Sequence, residues 1–179
     1  MTPAWRPGDR RPDVRAMLRV DQAGEYGATR IYAGQLAVLG GRHKSASQIA
    51  GMAAQEQRHL EAFDALIAER GVRPTVLRPL WAVAGHALGA ATALLGPEAA
   101  MACTAAIEDE IDAHYSEQLE ELGDGDPALS ARIAEFQADE REHRDAALAA
   151  GAEQTIFYPV VYAAIRAGCR VAIELSKRI

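Results

Sequence analysis

The chain is poor in several things at once, and each shortage removes a class of function. Among its 179 residues only two are cysteine, Cys103 and Cys169. They stand far apart, without a CxxC spacing that would suggest zinc, a redox pair or a disulfide framework, so they read as buried thiols in a reducing compartment. Aromatic residues make up only 6% and positive charge is in the minority, with 19 Lys and Arg against 25 Asp and Glu, a formal net charge of -6. A phosphate-neutralising nucleic-acid binder is therefore excluded as the leading reading. Long apolar runs are also missing. The greasiest stretch, Leu80 to Leu95 (LWAVAGHALGAATALL), holds 16 residues and falls short of the roughly 18–20 needed to cross a bilayer. It is expected to be a core helix or an interfacial one. Met1 to Pro12 is rich in Pro and Arg but has neither the apolar core of a secretory signal nor the length of a convincing transit peptide, so a cytoplasm-side protein is expected. No strand alternation, Ser/His/Asp triad or Gly-rich phosphate loop is found.

What is there is helical periodicity, cut into segments by Gly and Pro. The pattern predicts an all-α fold: a short flexible segment over residues 1–12, then one domain over 13–179. Helices are expected from about Asp13 to Gly40, Ser45 to Arg70, through Leu80–Leu95, Pro97 to Leu122, Pro127 to about Gly151, and within Thr155–Ile179. Four of the apolar stripes are interrupted by ionisable residues. Glu25 falls on the first and Glu56 and His59 on the second. Glu108 falls on the stripe of the Pro97 helix, and Glu140 and His143 on that of the Pro127 helix. The interruptions repeat. Glu25 precedes Glu56-x-x-His59 by 31 positions, and Glu108 precedes Glu140-x-x-His143 by 32. This reads as a duplicated helical hairpin.

Residues three apart on a helix project from one face, so each ExxH pair can grip a metal ion that a Glu of the partner helix also reaches. Four-helix carboxylate proteins that hold two iron or manganese ions use this inventory. Solvated salt-bridge faces are the plainer alternative, but the residues lie on apolar stripes. Buried together, four carboxylates would each cost several kcal/mol unless cations neutralised them. Oxygen-rich ligation with one imidazole per ion favours iron or manganese over zinc.

Residues 19–39 (RVDQAGEYGATRIYAGQLAVL), 55–60 (QEQRHL), 88–115 (LGAATALLGPEAAMACTAAIEDEIDAHY) and 137–143 (QADEREH) resemble the demethoxyubiquinone hydroxylase family of ubiquinone biosynthesis. The resemblance covers nearly all of the chain after the first dozen residues. It implies a ferritin-like four-helix bundle with additional apolar helices and a non-haem di-iron centre. Glu25, Glu56 and His59 would serve one iron and Glu108, Glu140 and His143 the other, with Glu56 and Glu140 bridging. The implied reaction is O2-dependent hydroxylation of a demethoxyubiquinol ring, with electrons from the reduced quinol or a nicotinamide donor such as NADH. A ferritin-like iron-binding or ferroxidase protein and a metal-free helical interaction module are the competing readings.

Tyr32 and Tyr115 each lie seven positions after a lone Glu. Each is read either as a catalytic residue that gates substrate or passes a proton or electron, or as a core aromatic with its hydroxyl satisfied. Asp21, one turn before Glu25, is read either as the residue that orients a ligating His or as a salt-bridge partner. His114 points away from Glu108, His43 is expected in solvent, and His86 is expected to be packed or interfacial. The apolar stretch and the last segment are expected to form a greasy entrance for a polyprenyl quinol. Arg166, Arg170, Lys177 and Arg178 would meet anionic headgroups. Self-association is the alternative use of that surface. The expected location is peripheral, on the cytoplasmic side of the cell inner membrane, and other ubiquinone-biosynthesis proteins are possible partners.

Overall fold

Asp13 starts the first helix by accepting a hydrogen bond from the Ala16 amide at 3.0 Å, which satisfies one of the donors a helix N-terminus leaves unpaired. The structure, a computed structural model, describes residues 12–179, so the expected flexible segment lies outside the described residues except for Pro12. Helix α1 runs Val14–Leu39, α2 Lys44–Glu69, α3 Arg78–Leu94, α4 Pro97–Leu122, α5 Pro127–Ala149 and α6 Tyr158–Arg178. Short 3-10 turns occupy Gly40–Arg42 and Ala152–Gln154, and no strand occurs among the described residues. The punctuation acts as the sequence predicts. Asp126 caps α5 through the Leu129 amide at 3.1 Å, with Pro127 in its first turn. Gly123, at φ 49°, ends α4 in a backbone conformation that a Cβ disfavours. His43 departs from expectation. It is the N-cap of α2, its Nδ1 accepting from the Ser45 amide at 3.2 Å, rather than a freely solvated side chain.

α1 pairs with α2 and α4 with α5, and the two hairpins join as a four-helix bundle. At one end Leu18, Phe63, Leu122, Leu129 and Ile133 form an apolar plug. At the other, Ala28, Ile49, Met52, Met101, Ala105 and Ala147 form a second. Burying each of the larger side chains contributes about 1.5–3 kcal/mol. The charged positions of all four stripes fall between these plugs.

α3 and α6 lie outside the bundle, against α1 and α4 respectively. α3 approaches α1 so closely that a Cβ on Gly89 would lie 1.9 Å from the Ile31 carbonyl oxygen, and one on Gly34 2.2 Å from that of His86. The part of α3 that is buried consists of Gly85, Gly89, Thr92 and Ala93, whereas Leu80, Val83 and Leu94 are exposed. Of the two readings of the apolar stretch, the core helix is therefore excluded. Between α1, α3, α4 and α6 lies an apolar cavity of about 500 Å³.

Candidate metal centre

Each of the four bundle helices brings its interrupted stripe to the same level. Glu25, Glu56, Glu108, Glu140, His59 and His143 are all at most 4% exposed. They form two overlapping groups. One contains Glu25, Glu56, His59 and Glu140, the other Glu56, Glu108, Glu140 and His143, and within each the ligand atoms lie within 4.8 Å of one another. Glu56 and Glu140 belong to both.

The two ExxH pairs cross over. His59 Nδ1 on α2 lies 3.1 Å from Glu140 Oε1 on α5 and 3.6 Å from Glu25 Oε2 on α1. His143 Nδ1 on α5 lies 3.1 Å from Glu56 Oε1 on α2, 3.4 Å from Glu140 Oε2 and 4.0 Å from Glu108 Oε1 on α4. Eight atoms at this level are buried without a hydrogen-bond partner: both Nδ1 atoms, both oxygens of Glu56 and of Glu140, Glu25 Oε2 and Glu108 Oε2. Buried polar atoms are rarely left unpaired, and unpaired carboxylate oxygens are among the costliest. Inward-facing oxygen and imidazole donors of this kind fit metal ions.

Electrostatics point the same way. Burial holds the carboxyls of Glu56, Glu108 and Glu140 above the usual range, and neighbouring carboxylates raise Glu56 and Glu108 further. Burial pulls His59 down, but the nearby Glu140 and Glu25 carboxylates outweigh it and carry the imidazole up to about 10. His143 is lowered, chiefly by burial. Without cations the cluster therefore retains protons that metal would displace.

Both tyrosines reach the cluster across the hairpins. The Tyr32 hydroxyl donates to Glu108 Oε1 at 2.5 Å, and that of Tyr115 donates to Glu25, so each touches the carboxylate of the opposite helix and not of its own. The two readings of these residues thus merge: each is a core aromatic whose hydroxyl is satisfied by a candidate ligand.

Sequence reasoning missed two contacts. His59 Nε2 donates to Asp139 Oδ2 at 2.9 Å, and His143 Nε2 donates to Gln55 Oε1 at 3.2 Å. Both partners immediately precede an ExxH glutamate, in QExxH and DExxH, and that position was the available signal. Asp21 does not orient a ligating His. It accepts from Gln118 Nε2 at 2.7 Å and lies 3.7 Å from His114, because its side chain faces α4 rather than α2. His114 thus stands apart from the cluster, as expected, and His86 is exposed. Cys103 is buried and Cys169 half-buried.

The cationic residues of α6 also differ from expectation. Arg166 is drawn inward to Asp109 at 2.9 Å and Glu110 at 2.8 Å, and Arg170 leans toward Glu110 at 3.7 Å. Lys177 pairs with Glu174 at 2.7 Å. The Arg166 and Arg170 contacts fasten α6 to α4, whereas the Lys177 pair lies within α6. Gly24 and Ile107, the sequence neighbours of Glu25 and Glu108, are in the wall of the apolar cavity.

The profile of the family described as ubiquinone biosynthesis protein COQ7 matches residues 12–176. The chain is 54% identical over 175 residues to the 3-demethoxyubiquinol 3-hydroxylase of Rhodospirillum rubrum, an alignment that covers 97% of this chain and 82% of the relative. It is 51% identical over 173 residues to the human NADPH-dependent 3-demethoxyubiquinone 3-hydroxylase, mitochondrial, covering 94% and 79%. To the 5-demethoxyubiquinone hydroxylase, mitochondrial, of Saccharomyces cerevisiae it is 41% identical over 179 residues, covering 91% and 77%. With a buried carboxylate and histidine cluster at the centre of an all-helical fold, the chain belongs to the ubiquinone biosynthesis protein COQ7 family.

Proposed function

We propose that this chain is an O2-dependent monooxygenase that hydroxylates the ring of a demethoxyubiquinol, using two iron ions held by Glu25, Glu56, His59, Glu108, Glu140 and His143. The observation that carries the proposal is the set of eight inward donor atoms without hydrogen-bond partners, shared between two overlapping groups. Oxygen-rich coordination with one imidazole per ion suits iron. Bound ferrous ions supply the electrons that activate O2 for ring hydroxylation.

The protein's own residues hold, orient and exclude. Glu56 and Glu140, common to both groups, would be available to both ions, and the apolar plugs above and below keep bulk water out. Tyr32 and Tyr115 act as positioning residues, each holding one terminal carboxylate by an O–H donor. The cavity between α1, α3, α4 and α6 would receive the quinol, its apolar wall suiting the ring and the first part of a prenyl chain.

No described helix is long and apolar enough to cross a membrane. The exposed apolar residues of α3 and α6 favour peripheral attachment, with the prenyl tail remaining in lipid. The reductant would be NADH or another nicotinamide donor, or the reduced quinol itself, and the location the cytoplasmic face of the inner membrane.

The test is to load the purified protein with iron anaerobically, count the metal, then supply demethoxyubiquinol in detergent with O2 and reductant. Two irons per chain and a product heavier by one oxygen atom are expected. Zinc or no metal after iron-replete expression refutes the centre. Two irons without product refutes the substrate. Uptake of many irons per chain would establish the storage reading instead.

A further inference from the structure

The cluster is close to two-fold symmetric, and the symmetry breaks directly behind its imidazoles. His59 meets Glu140 at 3.1 Å while His143 meets Glu56 at 3.1 Å. Tyr32 donates to Glu108 while Tyr115 donates to Glu25. Each end thus has one imidazole, one terminal carboxylate held by a tyrosine of the opposite hairpin, and the same two shared carboxylates. Behind the imidazoles the match ends. The acceptor of His59 Nε2–H is a carboxylate, Asp139, and the acceptor of His143 Nε2–H is an amide oxygen, Gln55. Each oxygen acceptor suits the tautomer with its proton outward on Nε2, which leaves the Nδ1 lone pair for an ion. They differ in charge.

We infer that Asp139 and Gln55 make the two metal positions unequal, so that the position served by His59 binds its ion more tightly and fills first. The inference rests on the di-metal reading of the centre. A carboxylate behind an imidazole makes its other nitrogen a stronger donor and adds a negative charge near the ion, whereas a neutral amide orients the ring and adds little. Asp139 is only half-buried, so its charge can be kept without a large desolvation cost. Asp139 and Gln55 are positioning residues: they act on the metal only through the histidines.

The decisive experiment titrates the full-length, metal-free protein with Mn(II) alone, without O2, against a competing chelator. Anomalous diffraction from crystals given one equivalent of Mn(II) locates the first ion. Wild type should load in two steps separated by about tenfold or more, the first ion lying beside His59. Asp139→Asn should weaken the first step by about tenfold or more and merge it with the second. The double variant Asp139→Asn with Gln55→Glu transposes the carboxylate while conserving the number of donors and acceptors. It should restore two-step loading with the first ion beside His143. This transfer is a result that mere loss of structure cannot produce. Binding of two ions with equal affinity in wild type, or a double variant whose first ion stays beside His59, would overturn the inference and leave the di-metal reading standing. Failure of wild type to bind any Mn(II) or Fe(II) would overturn both.

Discussion

The centre of the bundle formed by α1, α2, α4 and α5 carries carboxylates and imidazoles, whereas the outer face of α3 and α6 carries bare hydrocarbon. Glu56, Glu108 and Glu140 are fully buried, while Leu94 on α3 is 75% exposed and Val160 on α6 67% exposed. Each region reverses the ordinary distribution. The interior holds carboxylates that cations would neutralise, and the exterior holds hydrocarbon that an apolar surface would cover. Magnitudes separate the two. An uncompensated buried carboxylate costs several kcal/mol, and an exposed large aliphatic side chain forgoes about 1.5–3 kcal/mol. The interior is therefore the sharper constraint, and losing metal should do more harm than losing the surface.

Four experiments probe that contrast, beginning with the largest effect. Glu56→Leu removes a carboxylate common to both groups of ligands. Metal binding and hydroxylation should disappear, while the metal-free variant becomes more stable than metal-free wild type by about 1–4 kcal/mol, measured by urea unfolding. A less stable variant would show that the buried carboxylate is not a burden to the empty fold.

Metal removal should also leave a pH signature. Burial holds Glu56 and Glu108 above the ordinary glutamate value of 4.5 in the metal-free fold, so in the window above that value the folded chain binds protons more tightly than the unfolded chain. Their contribution to stability is full below the ordinary value and is lost as pH rises through the raised ones. Metal-free protein should therefore melt at lower temperature as the pH rises from about 5 toward neutrality, and saturating Fe(II) or Mn(II) should abolish or reverse that slope. Parallel melting curves with and without metal would break the link between the cluster and metal.

Gly89→Val tests the outer region through its attachment. A Cβ there would lie 1.9 Å from the Ile31 carbonyl oxygen, so α3 must move away from α1. A loss of about 3 kcal/mol and of activity on long-chain quinol is expected, with metal stoichiometry unchanged. The smallest effect is expected from Leu94→Ser together with Leu95→Ser. Binding to phospholipid vesicles should fall by about tenfold for each side chain removed, with metal content and fold intact. If vesicle binding is unaffected and a dimer dissociates instead, the face is a self-association surface.

Much of the fold could be read along the chain because its determinants are local. Asp13, Pro97, Asp126 and Pro127 start helices and Gly123 ends one through contacts within a few residues. The six candidate ligands were legible because polar residues at helical spacing interrupt apolar stripes. Of the two readings of Asp21, the one that backs a ligating histidine fails because a residue one turn from Glu25 need not face the same neighbour: it turned to Gln118 on α4, and Asp139 took the role of backing His59. The partners of Arg166 were hidden in a similar way, since the acidic residues that pair with it lie on α4, more than fifty positions earlier.

By itself the sequence determined the helices, the duplicated Glu and ExxH pattern and the chemical character of the donors, since each depends on periodicity, capping and residue type. Tertiary structure decided which hairpin each side chain serves. Only the alignment of the two hairpins crosses His59 to Glu140, Tyr32 to Glu108 and Tyr115 to Glu25, and sets Asp139 behind one histidine and Gln55 behind the other. The physical reason is that a helix face is specified within about two turns of chain, whereas the partner of that face is chosen by packing across the whole bundle.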